Sequence, residues 1–164
     1  MTGSDAGGIT KVGRFWENYD LLFKAHILYN CIGVIIRAES LSSYYMFQIH
    51  KDCIIPHRRS LIRVKESSLD VDEKGLIKNL KIAPGLYIVG WNTDDKVPLQ
   101  KQIDGWFDCK ITASGSSVAV YINGIIVFED KEFLQIPTGK IGFRNDGPEK
   151  AIVKDIKVIT KQSF

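Results

Sequence analysis

Val118-Ala119-Val120-Tyr121-Ile122-Asn123-Gly124-Ile125-Ile126-Val127 is two apolar, β-branched runs hinged on Asn-Gly. A two-residue type I′ hairpin turn needs positive φ at both central positions, and Asn and Gly tolerate that best. The stretch therefore predicts an antiparallel hairpin, and its neighbours extend the sheet. Upstream, Trp106-Phe107-Asp108-Cys109-Lys110-Ile111 leads in through Ser114-Gly115-Ser116. Downstream come Gly139-Lys140-Ile141-Gly142-Phe143-Arg144 and Ala151-Ile152-Val153-Lys154-Asp155-Ile156-Lys157-Val158. Alternation of the same kind runs back to residue 14. It predicts strands over 14–28, 32–39, 44–52, 60–66, 76–82, 86–91, 106–113, 117–122, 125–130, 139–144 and 151–159, separated by Gly, Ser, Asn and Pro. Within 65–82, the stretch Glu66-Ser67-Ser68-Leu69-Asp70-Val71-Asp72-Glu73-Lys74 reads as a loop or a short helical turn, and 92–104 as a long loop. Many short strands with turns between them make an all-β sandwich of two antiparallel sheets.

At 164 residues, with 45% hydrophobic and 25% charged residues, the chain can bury a core without staples. No apolar run approaches the roughly 18–20 residues that span a bilayer, which argues against a membrane partner. The net charge of +3 is mild, and the basic stretches are flanked by acids. They read as solvated faces and not as a nucleic-acid footprint. Cys31, Cys53 and Cys109 have no metal or redox spacing; Cys109 falls at strand period as a buried thiol, and a disulfide between two of the three stays open. Residues 1–12, polar and glycine-rich at the start, read as a flexible lead or an expression remnant, without the pattern of a signal peptide. Residues 13–164 read as one domain.

Pleat parity assigns the faces. Val34, Ile36 and Ala38 oppose Ile35, Arg37 and Glu39. Tyr45, Phe47 and Ile49 oppose Tyr44, Met46, Gln48 and His50. Phe107, Cys109 and Ile111 oppose Trp106, Asp108 and Lys110. The first set of each reads as core, with Val118, Val120, Ile141 and Phe143; the second set is a mixed polar and aromatic face. Trp16 and Trp106 read as core or sandwich-rim residues.

Three segments carry a family resemblance. Trp16-Glu17-Asn18-Tyr19-Asp20-Leu21-Leu22-Phe23 resembles the opening strand of concanavalin A-like (laminin G-like) jelly rolls. Ile32-Gly33-Val34-Ile35-Ile36-Arg37-Ala38 followed by Tyr44-Tyr45-Met46-Phe47-Gln48-Ile49 is similar to the strand pair that follows in those modules. Such domains accompany bacterial α-L-rhamnosidases, bind fructans, or belong to 3-keto-disaccharide hydrolases. The resemblance spans about 14–160 and implies a concanavalin A-like jelly-roll sandwich that handles carbohydrate. The hydrolase-like relatives carry a Glu and an Asp where this chain has Met46 and Lys51. Glycoside hydrolysis normally needs two carboxylates flanking the bond, so the resemblance implies a module without activity of its own. Asp94-Asp95 and Asp130-Glu132 read as solvated charges.

The candidate sugar ligands are Arg37, Gln48, Trp91, Asn145 and Asp146. Arg37 offers a bidentate fork, or else a structural pairing with Glu39, Asp108 or another strand. Gln48 shares the predicted face of Arg37 and would hydrogen-bond a hydroxyl. Trp91, at a strand end, could stack a sugar ring or cover a core edge. Asn145-Asp146 could reach a ligand or simply serve the turn before Gly147-Pro148. No cofactor is expected. Calcium would need six to eight oxygens gathered from several loops, since no Asp-rich loop of that density exists. His26, His50 and His57 lack the partners of a hydrolytic triad. The expected partner is an oligosaccharide or polysaccharide, with a neighbouring glycoside hydrolase domain. The alternative is a structural or protein-interaction laminin G-like domain, which would show an exposed apolar patch instead.

Overall fold

The computed structural model describes residues 7–63, 69–70, 78–80 and 87–161, with side chains at 8–60 and 92–161. Much of the expected strands 60–66 and 76–82 and of the 65–82 segment lies outside the described residues. The alternating runs form β1 (Gly7–Ile9), β2 (Tyr19–Tyr29), β3 (Cys31–Ser40), β4 (Ser43–His50), β5 (Cys53–Arg63), β6 (Leu69–Asp70) and β7 (Lys78–Leu80). They continue as β8 (Tyr87–Thr93), β9 (Val97–Pro98), β10 (Trp106–Ser114), β11 (Ser117–Ile122), β12 (Ile125–Asp130), β13 (Lys140–Arg144) and β14 (Lys150–Thr160). One sheet runs β1-β13-β3-β4-β5-β8 with β9 also on β5; the other runs β12-β11-β10-β2-β14; β6 and β7 pair with each other. The ladders are antiparallel, as the hairpin at Asn123-Gly124 foretold.

The inward faces of the two large sheets meet in one core. Val34, Ile36, Tyr45, Phe47, Ile49, Ile54 and Ile141 come from the seven-stranded sheet, and Tyr19, Leu21, Phe23, Phe107, Ile111, Val118 and Val120 from the five-stranded one. Each such side chain contributes about 1.5–3 kcal/mol of burial. Phe47 anchors the centre, stacked 5.5 Å from Phe133 and tilted 5.4 Å from Phe128. The expected core is buried except Phe143, which is half-buried and meets Phe23 edge-on at 5.3 Å. Trp106 is neither core nor covered rim: it is 43% exposed on the outer face of the five-stranded sheet, beside His26. All three cysteines are buried and free.

Local irregularities overturn three expectations. In β3 the register shifts between Ile36 and Ser40, with Arg37 at φ 49°, so parity fails after Ile36. Arg37 is thereby removed from the outer face, and Ala38 joins Ile35 and Met46 on it. Second, residues 53–59 belong to a strand despite Pro56. The N–H and C=O of a strand residue point to the same side, and Pro56 O accepts from Asp94 N at 3.0 Å. Its ring nitrogen therefore faces the gap between Ile54, the last residue paired with β9, and His57, the first paired with β8. No ladder donor is needed there. Third, residues 7–9 of the expected lead form β1 against β13. That approach needs glycine, since a Cβ on Gly142 would sit 2.2 Å from Gly8 O. At the far edge of the other sheet, β14 slips register between Lys154 and Lys157, with Asp155 left-handed at φ 56°.

Candidate functional site

The outer face of the seven-stranded sheet carries a chain of polar side chains, assembled by register. Gln48 on β4 lies opposite Gly33 on β3, and Met46 lies opposite His57 on β5. His57 in turn faces Thr93 on β8, and Arg144 on β13 faces Gly33. Gly33 leaves the space that Arg144 crosses: a Cβ there would lie 3.0 Å from Arg144 Cβ and 3.1 Å from Met46 Sδ. Arg144 Nη1 reaches within 3.8 Å of that sulfur.

The hydrogen bonds run in one line. His57 Nδ1 meets Thr93 Oγ1 at 2.9 Å, and His57 Nε2 meets Gln48 Oε1 at 2.9 Å. Gln48 Nε2 donates to Glu149 Oε1 at 2.9 Å. Glu149 Oε2 accepts from Asp146 N at 2.9 Å, while Glu149 N returns a bond to Asp146 O at 3.1 Å. Asp146 closes the line on Arg144. Because the Gln48 amide nitrogen faces Glu149, its oxygen faces His57, so Nε2 carries the histidine proton and Nδ1 accepts from the threonine hydroxyl. Burial, then the Arg144 charge, holds the His57 pKa below its ordinary value. Beside this line, Arg59 Nη1 donates to Tyr44 Oη at 3.2 Å.

The middle of the chain is covered and its ends are open. His57 is 8% exposed, Glu149 7% and Met46 fully buried. Thr93 and Asn145 are exposed, and Gln48 and Asp146 are half-buried. A buried polar chain is tolerable when its members find partners, and it then fixes their directions. Gln48 is the member with capacity to spare. An amide has two N–H donors and two acceptor sites. His57 and Glu149 take one of each, which leaves one donor and one acceptor of fixed direction. The carboxylates are occupied: Glu149 accepts from Gln48 and from the Asp146 amide, and Asp146 is paired with Arg144. Burial pushes the Cys31 pKa far up, so it is a neutral thiol and not a nucleophile. No group of three or more His, Cys, Asp or Glu able to hold a metal ion occurs among the described residues.

Of the residues singled out from sequence, the structure brings Gln48 and Asp146 together through Glu149, with Asn145 beside them. The main chain of Trp91 pairs with Arg59, which places it on β8 next to the site; its side chain lies outside the described residues. Arg37 is elsewhere. It is fully buried, pairs with neither Glu39 nor Asp108, and donates to the carbonyls of Ile136 (2.6 Å), Pro137, Glu17 and Gly115 (3.1 Å). Sequence reasoning missed His57, Thr93, Arg144 and Glu149. Reading 53–59 as a strand would have put His57 on the face of Gln48. Nothing local announces Glu149, whose bond to Gln48 spans 101 residues.

No protein-family model matches the sequence, and no curated protein matches it. Solved structures do. The carbohydrate-binding module CBM66 from Bacillus subtilis superposes with a TM-score of 0.63 at 10% identity, over 96% of this chain and 83% of that one. This is a concanavalin A-like jelly roll. Sheep galectin-11, in complex with glycerol, shares the jelly roll with a TM-score of 0.58 at 8% identity, over 97% of this chain and 100% of its own. A candidate glycosyl hydrolase from Parabacteroides distasonis gives 0.56 at 20% identity, over 96% and 84%. At these identities the likeness is one of fold.

Proposed function

We propose that this jelly roll is a non-catalytic carbohydrate-binding module, an accessory domain of a glycoside hydrolase, that holds an oligosaccharide or polysaccharide on the outer face of its seven-stranded sheet. The observation that carries the reading is the Gln48 amide, clamped at both ends by His57 and Glu149 and left with one donor and one acceptor. Neighbouring sugar hydroxyls supply that complement, and a preset amide loses little freedom on binding. Asn145 and Asp146 border the same chain, and Trp91 is proposed as the stacking aromatic. Arg37 takes no part. The absence of catalysis is supported by the engagement of both carboxylates, Asp146 with Arg144 and Glu149 with the Gln48 amide and the Asp146 N–H. A hydrolase needs one such group free to give or take a proton beside the bond. Fold neighbours named as a carbohydrate-binding module and a galectin favour the same reading.

The test is calorimetric titration, guided by a glycan array, against rhamnose-, fructose- and galactose-containing oligosaccharides. Gln48→Ala should weaken binding about ten- to hundredfold, the effect of losing about 1–3 kcal/mol from two hydrogen bonds. Trp91→Ala and Asn145→Ala should weaken it too. If no glycan binds, or Gln48→Ala binds as the parent does, the domain is an interaction module. Turnover of aryl glycosides that disappears on mutating Asp146 or Glu149 would overturn the non-catalytic assignment.

A further inference from the structure

We infer that the loop end of the sandwich around Phe15 is a second saccharide-binding site, separate from the face that carries Gln48. Phe15 is 81% exposed, the most exposed large hydrophobic side chain among the described residues. It borders a cavity of 430 Å³ shared with Arg14, Glu39, Thr138 and Lys140. The Arg14 guanidinium lies over the ring at 5.7 Å from its centroid, and the rest of the ring stands in water. Such a ring beside converging polar groups is the pairing a sugar satisfies, with its C–H face on the open ring face and its hydroxyls on the polar rim.

The polar groups select the ligand class. Glu39 keeps one carboxylate oxygen on Ser43 Oγ at 2.9 Å, which orients the other. Arg14 and Lys140 donate, Glu39 accepts and the Thr138 hydroxyl does both. Hydroxyl groups use donors and acceptors alike. A polyanion would meet Glu39, and a polycation would meet Arg14 and Lys140, so a polyhydroxylated, uncharged ring fits this mixture best.

The surrounding loops are built to stay in place. Arg37 holds the carbonyls of Glu17, Ile136, Pro137 and Gly115, joining the segments that flank Phe15 and Thr138 to the turn after β10. Tyr45 Oη accepts from Gln135 N at 2.6 Å and Ile136 N at 3.1 Å. Gly139 N donates to Trp16 O at 3.1 Å, and Gly115 N to Asn18 Oδ1 at 2.8 Å. A positive-φ, fully buried arginine is an expensive way to close a loop end, and such conformations gather where a site must be rigid.

This inference rests on the carbohydrate reading for its ligand class alone. The experiment is amide-resolved NMR titration of the whole chain with the same rhamnose-, fructose- and galactose-containing oligosaccharides, using Phe15→Ala, Phe15→Trp and Gln48→Ala. The expected result is a set of shifts at Glu39, Thr138 and Lys140 that weakens at least about tenfold in Phe15→Ala. That set should survive in Phe15→Trp and in Gln48→Ala. Shifts confined to the Gln48 face and unchanged in Phe15→Ala overturn the second site and leave the proposed function standing. No shifts with any glycan overturn both. Shifts around Phe15 that follow protein concentration without glycan make it a self-association contact and overturn the saccharide assignment.

Discussion

Replacing Arg37 by Met keeps much of the side-chain volume and removes the guanidinium, so it isolates what the four carbonyl bonds contribute. A hydrogen bond to a charged group is worth about 1.5–3 kcal/mol, which for four would overshoot. Two effects reduce the sum. The contacts are only part-buried, so the freed carbonyls recover some water. Burying the cation is itself costly, and that burial also pulls the Arg37 pKa down. Removing one partner from a buried charged arrangement typically costs about 3–5 kcal/mol, and we expect Arg37→Met to fall there. Arg37→Lys should lose about half as much, since one ammonium cannot span three loop segments. With a urea m-value of about 2 kcal/mol/M, the Met variant should unfold at a midpoint about 2 M lower with unchanged m. A midpoint drop below about 0.5 M would show that the loops hold together without the guanidinium, and the clamp argument would fail.

Phe47→Ala should cost about 3–5 kcal/mol in chemical denaturation, whereas half-buried Phe143→Ala should cost about 1–2 kcal/mol; equal losses would mean the centre of the core is misplaced. Stability should also fall in mild acid. Burial lowers the pKa of His57, which faces Arg144, Asp94, Glu149 and His50, and of His50, which faces Asp52, Lys96 and Glu149. The unfolded chain therefore takes up these protons first. The stability is present above the ordinary histidine value of 6.5 and is lost as pH falls through the depressed folded values. Urea midpoints at about pH 7.5, 6 and 5 should decline in that order, and His57→Gln should flatten the decline; a midpoint that rises toward acid would contradict it.

The architecture was legible because both sheets alternate cleanly over most of their strands. The failures each have a local cause that periodicity cannot register. At Arg37 one left-handed residue slips the ladder, so a side chain expected outside arrives inside. At Pro56 a residue that usually ends strands sits at a position where its missing donor is harmless. Gln48 was found because it lies on a regular stretch of β4, where parity is reliable. Its partners were not, because Glu149 reaches it from a loop 101 residues away and His57 belongs to the strand that Pro56 disguised. Phe15 carried no signal either, since exposure is decided by what the rest of the chain leaves uncovered.

The slip in β14 bears on how the molecule behaves in a crowded solution. An eleven-residue edge strand offers a row of free backbone groups to any other chain with an edge of its own. It also shows Ile152, Ile156 and Ile159 to solvent, which adds a greasy attraction to that template. One extra residue, with Asp155 and Ile156 together opposite Phe23, breaks the row in its middle, and Lys150, Lys154 and Lys157 charge it along its length. An incoming strand could match only short halves of it and would have to bury ammonium groups to do so. A bulge and edge lysines of this kind disfavour edge-to-edge pairing, the route by which long free strands seed fibrillar stacking.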